Sequence, residues 1–335
     1  MKSVRFIRSI GILNIHNAAR HRYQLSNGEL GIAESVFSSS MTLIPLSDLN
    51  KWYRNLELAT SEPDIILKMS RDIEIGRLGT ISRWLLSGYD LASTIRRVNY
   101  GLSCLQSGAF LAGAQIGNLL KWTYSNPFIE PEQKAHDSVR VAIFMTKILR
   151  EYLGESFNPL RVMLSGSRKN TKEYEAFFGC TVVWNHNKTE VWFNADLRLT
   201  TQQSKKISNK RLAMNFSDLD DFLNMPEPED GLKVIYELIN YSCHYGLPTV
   251  KGVAQLLGCS EQQFQRRLHQ EGLNFTTVCG YVLSNRAIAL MSKNVPLAEV
   301  AKALGYSNEA SFNRMFKKQR GVTPRQYIER FHDVF

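Results

Sequence analysis

The sequence predicts an α+β amino-terminal domain followed by an all-α double helix-turn-helix domain, and three observations predict it. Helical and strand periodicities alternate through residue 212; the composition then turns acidic and proline-containing over 217–230; and from 231 onward the apolar spacing is helical and repeats itself. The domains so drawn are an α+β part over 1–212, a linker over 213–230 and a helical part over 231–335. The helical part carries two helix-turn-helix units at 249–271 and 296–318.

In chain order, apolar residues spaced by three and four predict helices over 47–58, 64–71, 77–86 and 91–104. AFLAGAQI and NLLKWTYS flank Gly117-Asn118, which reads as a hairpin with a tight turn. A helix is predicted over 131–153, and strands near 160–165, 181–185 and 189–193. Trp84, Trp122, Tyr124, Trp184, Trp192 and Phe193 either line an apolar pocket for a small molecule or pack the core and sheet, and packing is the favoured reading. SKKISNKR (204–211) is basic and SDLDDFLNMPEPED (217–230) is acidic, which suits a linker holding a short helix.

The last third contains the repeat. Val250, Val253, Ala254 and Leu257 form one apolar stripe, and Leu297, Val300, Ala301 and Leu304 form the same stripe again. After each comes Gly258-Cys259-Ser260 or Gly305-Tyr306-Ser307, where glycine provides a left-handed helix stop and the serine or its neighbour an N-cap. Ser260 and Gln263 match a capping box. The helices that follow, QQFQRRL and ASFNRMF, each bury an apolar pair four residues apart, Phe264/Leu268 and Phe312/Phe316. Helix, glycine turn and half-buried second helix is the helix-turn-helix arrangement, whose outer face fits the major groove of DNA. That face offers Gln262, Gln265 and Arg266, with Arg267 at its edge, in the first unit. In the second it offers Glu309, Ala310, Asn313 and Arg314, followed by Lys317, Lys318 and Arg320. Arginine pairs with guanine, glutamine or asparagine with adenine, and lysine with phosphate; Glu309 favours cytosine or repels phosphate. A helix from Asn274 to Met291, with Gly280 its weak spot, joins the units and spans roughly 24 Å, enough to set the two second helices roughly one DNA turn apart. Leu232, Ile235 and Ile239 lie on a leading helix that completes the first unit's core.

Bulk properties narrow the function. Lys and Arg number 41 against 31 Asp and Glu, a formal net charge of +10, and 13 of the basic residues against 7 acidic ones lie from Gly231 onward. An anionic partner fits that surface. The 5 cysteines are scattered and the 7 histidines show no ligand spacing, so a disulfide framework and a metal site are not expected, and a reducing compartment is. No stretch reads as a bilayer span, and Arg8 and Asn14 interrupt any signal-peptide core in MKSVRFIRSIGILN. No glycine-rich phosphate loop, nucleophile elbow or zinc-protease motif occurs.

The second unit, VAKALGYSNEASFNRMFKKQRGVTPRQYIERF, resembles the AraC/XylS family of bacterial transcription regulators. Val300, Ala301, Gly305, Tyr306, Ser311, Phe312, Arg314, Phe316, Lys317, Gly321, Thr323, Pro324 and Tyr327 carry the match, and Ile328 departs from it where an arginine is usual. GVAQLLGCSEQQFQRRL is similar to the family's first unit. IGRLGTISRWLLSGYDLASTIRR (75–97) and YEAFFGCTVVWNHNKTEVWFNADL (174–197) are similar to the arabinose-binding-like domain of ornithine-utilisation-type members.

The resemblance implies a cytoplasmic, nucleoid-associated regulator rather than an enzyme. Gln262, Gln265, Arg266, Arg267, Glu309, Asn313, Arg314, Lys317 and Lys318 are the expected DNA-binding residues. No catalytic residue, metal or cofactor is expected. Its expected partners are double-stranded promoter DNA, a small-molecule effector of unknown identity, RNA polymerase and a second copy of the chain, with no membrane. Two alternatives stand beside it. One is a ligand-independent regulator whose first domain binds only proteins; the other is a DNA-targeted enzyme, which would need a thiolate cluster or a metal.

Overall fold

In the computed structural model, which describes residues 4–73, 80–201, 214–227 and 229–331, the chain divides into two compact units, Arg5–Met225 and one beginning at Pro226. The basic stretch 204–211, Pro228 and the first residues of the helix predicted over 77–86 lie outside the described residues. No helix among the described residues is long and apolar enough to cross a membrane.

The first unit is α+β. It opens with β1 (Phe6–Arg8), α1 (Ile10–Tyr23), α2 (Asn27–Leu30), β2 (Leu43–Pro45), α3 (Leu46–Thr60) and α4 (Ile65–Lys68). β1 and β2 pair antiparallel, Ile7 opposite Ile44. None of the elements before α3 was expected. The buried side of α1 is Ile10, Ile12, Ile15, His16 and Ala19, and a buried histidine breaks the apolar period. His16 is accommodated because the Trp52 indole donates to its Nδ1 at 3.1 Å and its Nε2 meets Asn27 Oδ1 at 3.1 Å.

Next come α5 (Thr80–Leu85) and α6 (Leu91–Leu105), the latter started by Asp90, whose carboxylate accepts from the Ser93 backbone N–H at 2.7 Å. The expected hairpin is β3 (Phe110–Ile116) and β4 (Leu119–Ser125), closed by Gly117 in the left-handed region. α7 (Lys134–Leu153), β5 (Arg161–Met163), α8 (Thr171–Phe178), β6 (Thr181–Val183) and β7 (Thr189–Asn194) follow. The five strands order as β3-β4-β7-β5-β6. Only β5 and β6 run parallel among these pairs, and α8 supplies the crossover that parallel neighbours require. β7, last in sequence, is therefore central, with Trp122 opposite Val191 on one side and Val162 opposite Val191 on the other.

Within the core Arg140 and Asp137 form an ion pair at 2.8 Å. Arg140 also donates to Tyr53 Oη and Gln106 Oε1, each at 2.8 Å, while Asp137 accepts from Tyr53 at 3.1 Å and Tyr124 at 2.6 Å. Burial, then the Asp137 carboxylate, pushes the Tyr124 phenol well above its ordinary range, so it stays a donor. Of the six aromatics considered for a pocket, Trp84, Trp122 and Phe193 are buried packing, and Trp192 lies under the Lys121 ammonium at 4.0 Å. Trp184 meets Tyr174 edge-on, and Tyr124 lines a cavity. α9 (Phe216–Leu223) falls inside the stretch read as linker but belongs to this unit: Leu219 and Leu223 are buried, and Phe216 packs edge-on against Trp84 and Tyr100.

The second unit is all-α: α10 (Gly231–Ser242), α11 (Val250–Leu257), α12 (Glu261–Gln270), α13 (Phe275–Met291), α14 (Leu297–Ala303), α15 (Glu309–Arg320) and α16 (Pro324–Phe331). Three of the four residues of each predicted stripe are inside: Val253, Ala254, Leu257, Val300, Ala301 and Leu304 are buried alongside Phe264, Leu268, Phe312 and Phe316, while Val250 and Leu297, each the first residue of its helix, are only half-buried. On α10, Ile235 and Ile239 are buried as expected, but Leu232 is 39% exposed, and Val234 and Leu238 fill the core instead.

Candidate nucleic-acid interface

Each outward helix of the second unit is fixed by its own capping chemistry. Thr249 starts α11 by accepting from the Gly252 N–H at 3.0 Å, and Gly258, at φ 64°, ends it. Ser260 then accepts from the Gln263 N–H at 3.2 Å while Gln263 Oε1 accepts from the Ser260 N–H at 3.0 Å, a complete capping box at the head of α12. In the second copy the serine's neighbour takes over: Asn308 Oδ1 accepts from the Ser311 N–H at 2.8 Å and starts α15. Thr323 and Gln326 make another reciprocal cap at 3.3 and 3.0 Å, Pro324 occupies the first helical position of α16, and Tyr327 packs edge-on against Phe316 at 5.5 Å. The Thr-Pro-x-x-Tyr segment thus braces the inner face of α15.

Two outward faces result. On α12, Gln262, Gln265 and Arg266 are exposed at spacings of three and four while Phe264 and Leu268 are buried behind them. Arg267 is half-buried, and its guanidinium lies where a Cβ on residue 231 would sit, so the missing side chain of Gly231 makes its room. On α15, Glu309, Arg314, Lys317 and Lys318 are exposed. Arg314 donates to Ser311 Oγ at 3.0 Å, which aligns its guanidinium along the helix. Asn313 is half-buried, and its amide oxygen has no hydrogen-bond partner among the described residues. Arg266, Lys317 and Lys318 have no acidic partner among the described residues.

Arg320, read with the lysines from sequence, turns the other way. It donates to Ser284 Oγ at 3.1 Å and to Asn285 Oδ1, and its guanidinium lies 5.5 Å from the centre of the Tyr281 ring. It ties α15 to α13. Gly280 is explained by the same seam, since the Gln319 side chain occupies the space a Cβ there would need. Periodicity had no means of finding either contact, because both depend on which residues of two distant helices meet.

The thiols here are held neutral. Burial pushes Cys243 up to about 11 and Cys279 up to about 12, and in the first unit Cys104 and Cys180 up to about 11. Among the described residues no three His, Cys, Asp or Glu side chains gather in a way that could hold a metal ion.

Residues 253–330 match a helix-turn-helix domain profile, and residues 28–201 match the arabinose-binding domain of AraC transcription regulators. The chain belongs to the AraC family of transcription regulators. Among AraC-family relatives, the HTH-type transcriptional regulator VqsM of Pseudomonas aeruginosa is 27% identical over 194 residues, 56% of this chain and 58% of that protein. The HTH-type transcriptional regulator VirS of Mycobacterium tuberculosis is 26% identical over 162 residues, 46% of this chain and 45% of its own length. This chain therefore spans about half the length of these curated relatives. The crystal structure of transcriptional regulator CdpR from Pseudomonas aeruginosa aligns over 95% of this chain and 98% of that one, with 16% identity and a TM-score of 0.47.

Proposed function

We propose that this AraC-family chain is a sequence-specific DNA-binding regulator that reads promoter DNA through α12 and α15 and responds to a small molecule through its first unit. One observation carries the DNA reading: two separately capped helices bury their aromatic faces and turn Gln262, Gln265 and Arg266, and Arg314, Lys317 and Lys318, outward without acidic partners on Arg266 or the lysines. Glutamine and arginine suit base edges, the lysines suit phosphates, and Arg267 and Asn313, being half-buried, contribute at the margin of the face. Glu309 sits at the helix start, where it accepts from cytosine or steers the helix off phosphate. The two units take neighbouring major-groove segments roughly one turn apart. The chain works in the cytoplasm on nucleoid DNA, with RNA polymerase and a second copy of itself as further partners.

Fluorescence anisotropy of the full chain on promoter fragments from its own locus, at several salt concentrations, tests this. Binding should exceed that to scrambled duplex by about a thousandfold or more and fall steeply with salt. Equal binding to both duplexes would remove the sequence-reading role. A change in promoter affinity on adding a metabolite would support sensing. A first unit that serves only protein contacts would give none.

A further inference from the structure

In the first unit, a cavity of about 240 Å³ opens where the end of β4, the start of α7 and the turn entering β7 converge. At roughly 30 Å³ per water it holds the equivalent of about eight waters, or a molecule with on the order of ten non-hydrogen atoms. Most of the residues that line it carry polar or charged side chains. Ser138 and Thr189 share a hydroxyl–hydroxyl bond of 2.7 Å on its wall, and Ser138 also accepts from the Ser165 N–H at 2.9 Å. These hydroxyls stand on a twenty-residue helix and a central strand, so their positions are set before any ligand arrives.

Charge decides the class of ligand. The cavity's acidic side chain, Asp137, is already neutralised by Arg140 and accepts from two tyrosines. The side-chain ammonium groups of Lys134 and Lys188, which also line the cavity, have no ion-pair or hydrogen-bond partner among the described residues. The lining therefore combines two lysines without acidic partners among the described residues, fixed hydroxyls and a carboxylate whose Oδ2 accepts one bond, from Tyr124. A small neutral sugar would satisfy the hydroxyls and leave both cations unmatched.

The geometry points to this cavity as the binding site for a small hydroxylated anion, its carboxylate or phosphate taken by Lys134 and Lys188 and its hydroxyls by Ser138, Thr189 and Asp137. The inference rests on the reading of the first unit as an effector sensor. Isothermal titration of the full chain with L-malate and D-gluconate as carboxylates, glycerol 3-phosphate as the phosphate and L-arabinose as the neutral comparator tests it. At least one anion should bind, arabinose at least tenfold more weakly, and Lys134→Met and Lys188→Met should each weaken the anion at least tenfold. Lys169→Met, whose lysine is exposed and does not line the cavity, is the control and should bind as the parent does. Circular dichroism of each variant establishes that it is folded. No binding by any anion, arabinose binding as well as the best anion, or folded lysine variants that bind like the parent would each overturn the site. Anion binding that depends on both lysines but leaves promoter affinity unchanged would sustain the site and remove the sensor role.

Discussion

Arg314 and Lys318 are both exposed on α15, and charge alone does not separate a base reader from a phosphate anchor. Arg314→Ala is expected to relax preference at one base position by about 1–3 kcal/mol, whereas Lys318→Ala should weaken all sequences alike and flatten the salt dependence. Anisotropy against duplexes substituted one position at a time distinguishes the two; an unchanged preferred sequence in Arg314→Ala would remove it from the reading face. Arg320→Ala should behave differently from both. It loses hydrogen bonds to Ser284 and Asn285, so chemical denaturation should show a loss of about 1–3 kcal/mol with the salt slope of DNA binding intact. Histidine adds a pH dependence. Burial holds His16 at about 4, well below its ordinary 6.5, and the Trp52 indole donating to Nδ1 requires the neutral ring. The unfolded chain takes up a proton near 6.5, so the contribution of His16 to stability is whole above that pH and is lost, by about 3 kcal/mol at most, as pH falls towards 4. Thermal melts of His16→Gln should lose less stability over that window than the parent; equal losses would assign the effect elsewhere. His244, held at about 4 by burial and the Arg286 guanidinium, acts in the same window in the second unit.

Among elements, the two helix-turn-helix copies look interchangeable in sequence and differ in structure. Gly258 and Gly305 both take left-handed backbone, at φ 64° and 84°. A Cβ at 258 would meet nothing within 4 Å, whereas one at 305 would lie 2.6 Å from the Leu247 backbone nitrogen. Gly258→Ala should therefore cost only the conformational penalty of about 1–2 kcal/mol, and Gly305→Ala distinctly more, because backbone cannot swing aside as a side-chain tip does. Equal losses in urea melts would mean that the 246–247 segment yields freely. The stripes, stops and caps of this unit were legible because each is a local pattern of a few residues. So was the β3–β4 hairpin, whose turn announces itself. What escaped was set by partners far away in sequence: α1 hides its apolar face behind His16, α8 is short, and the short helix expected within the linker, α9, joins the first unit only through the burial of Leu219 and Leu223. The outward residues of α12 and α15 were legible from the buried ones behind them. The inward turn of Arg320 was not, and neither was the polar cavity, whose residues come from four segments between Tyr124 and Thr189.

For the molecule as a whole, the division into an α+β unit and a helical unit follows the change in periodicity along the chain, and the family matches at 28–201 and 253–330 fall on either side of it. The sheet order was outside the reach of sequence pattern, since short strands near 160, 181 and 189 are compatible with several pairings. The placement of β7 has a consequence for synthesis. Until Thr189–Asn194 leaves the ribosome, β3–β4 and β5–β6 are two half-sheets with nothing to join them, and β4 and β5 each offer an open hydrogen-bonding edge to any neighbouring chain. A chain stopped after Lys188 should collect in the insoluble fraction, and one stopped after Met225 should stay in solution, as centrifugation and immunoblotting of expressing cells would reveal; equal solubility would mean that the halves shield themselves. A nascent chain passes through this exposed stage for as long as α7, β5, α8 and β6 take to emerge. A ribosomal pause or a premature stop within residues 126–188 is the interruption this fold is least equipped to survive.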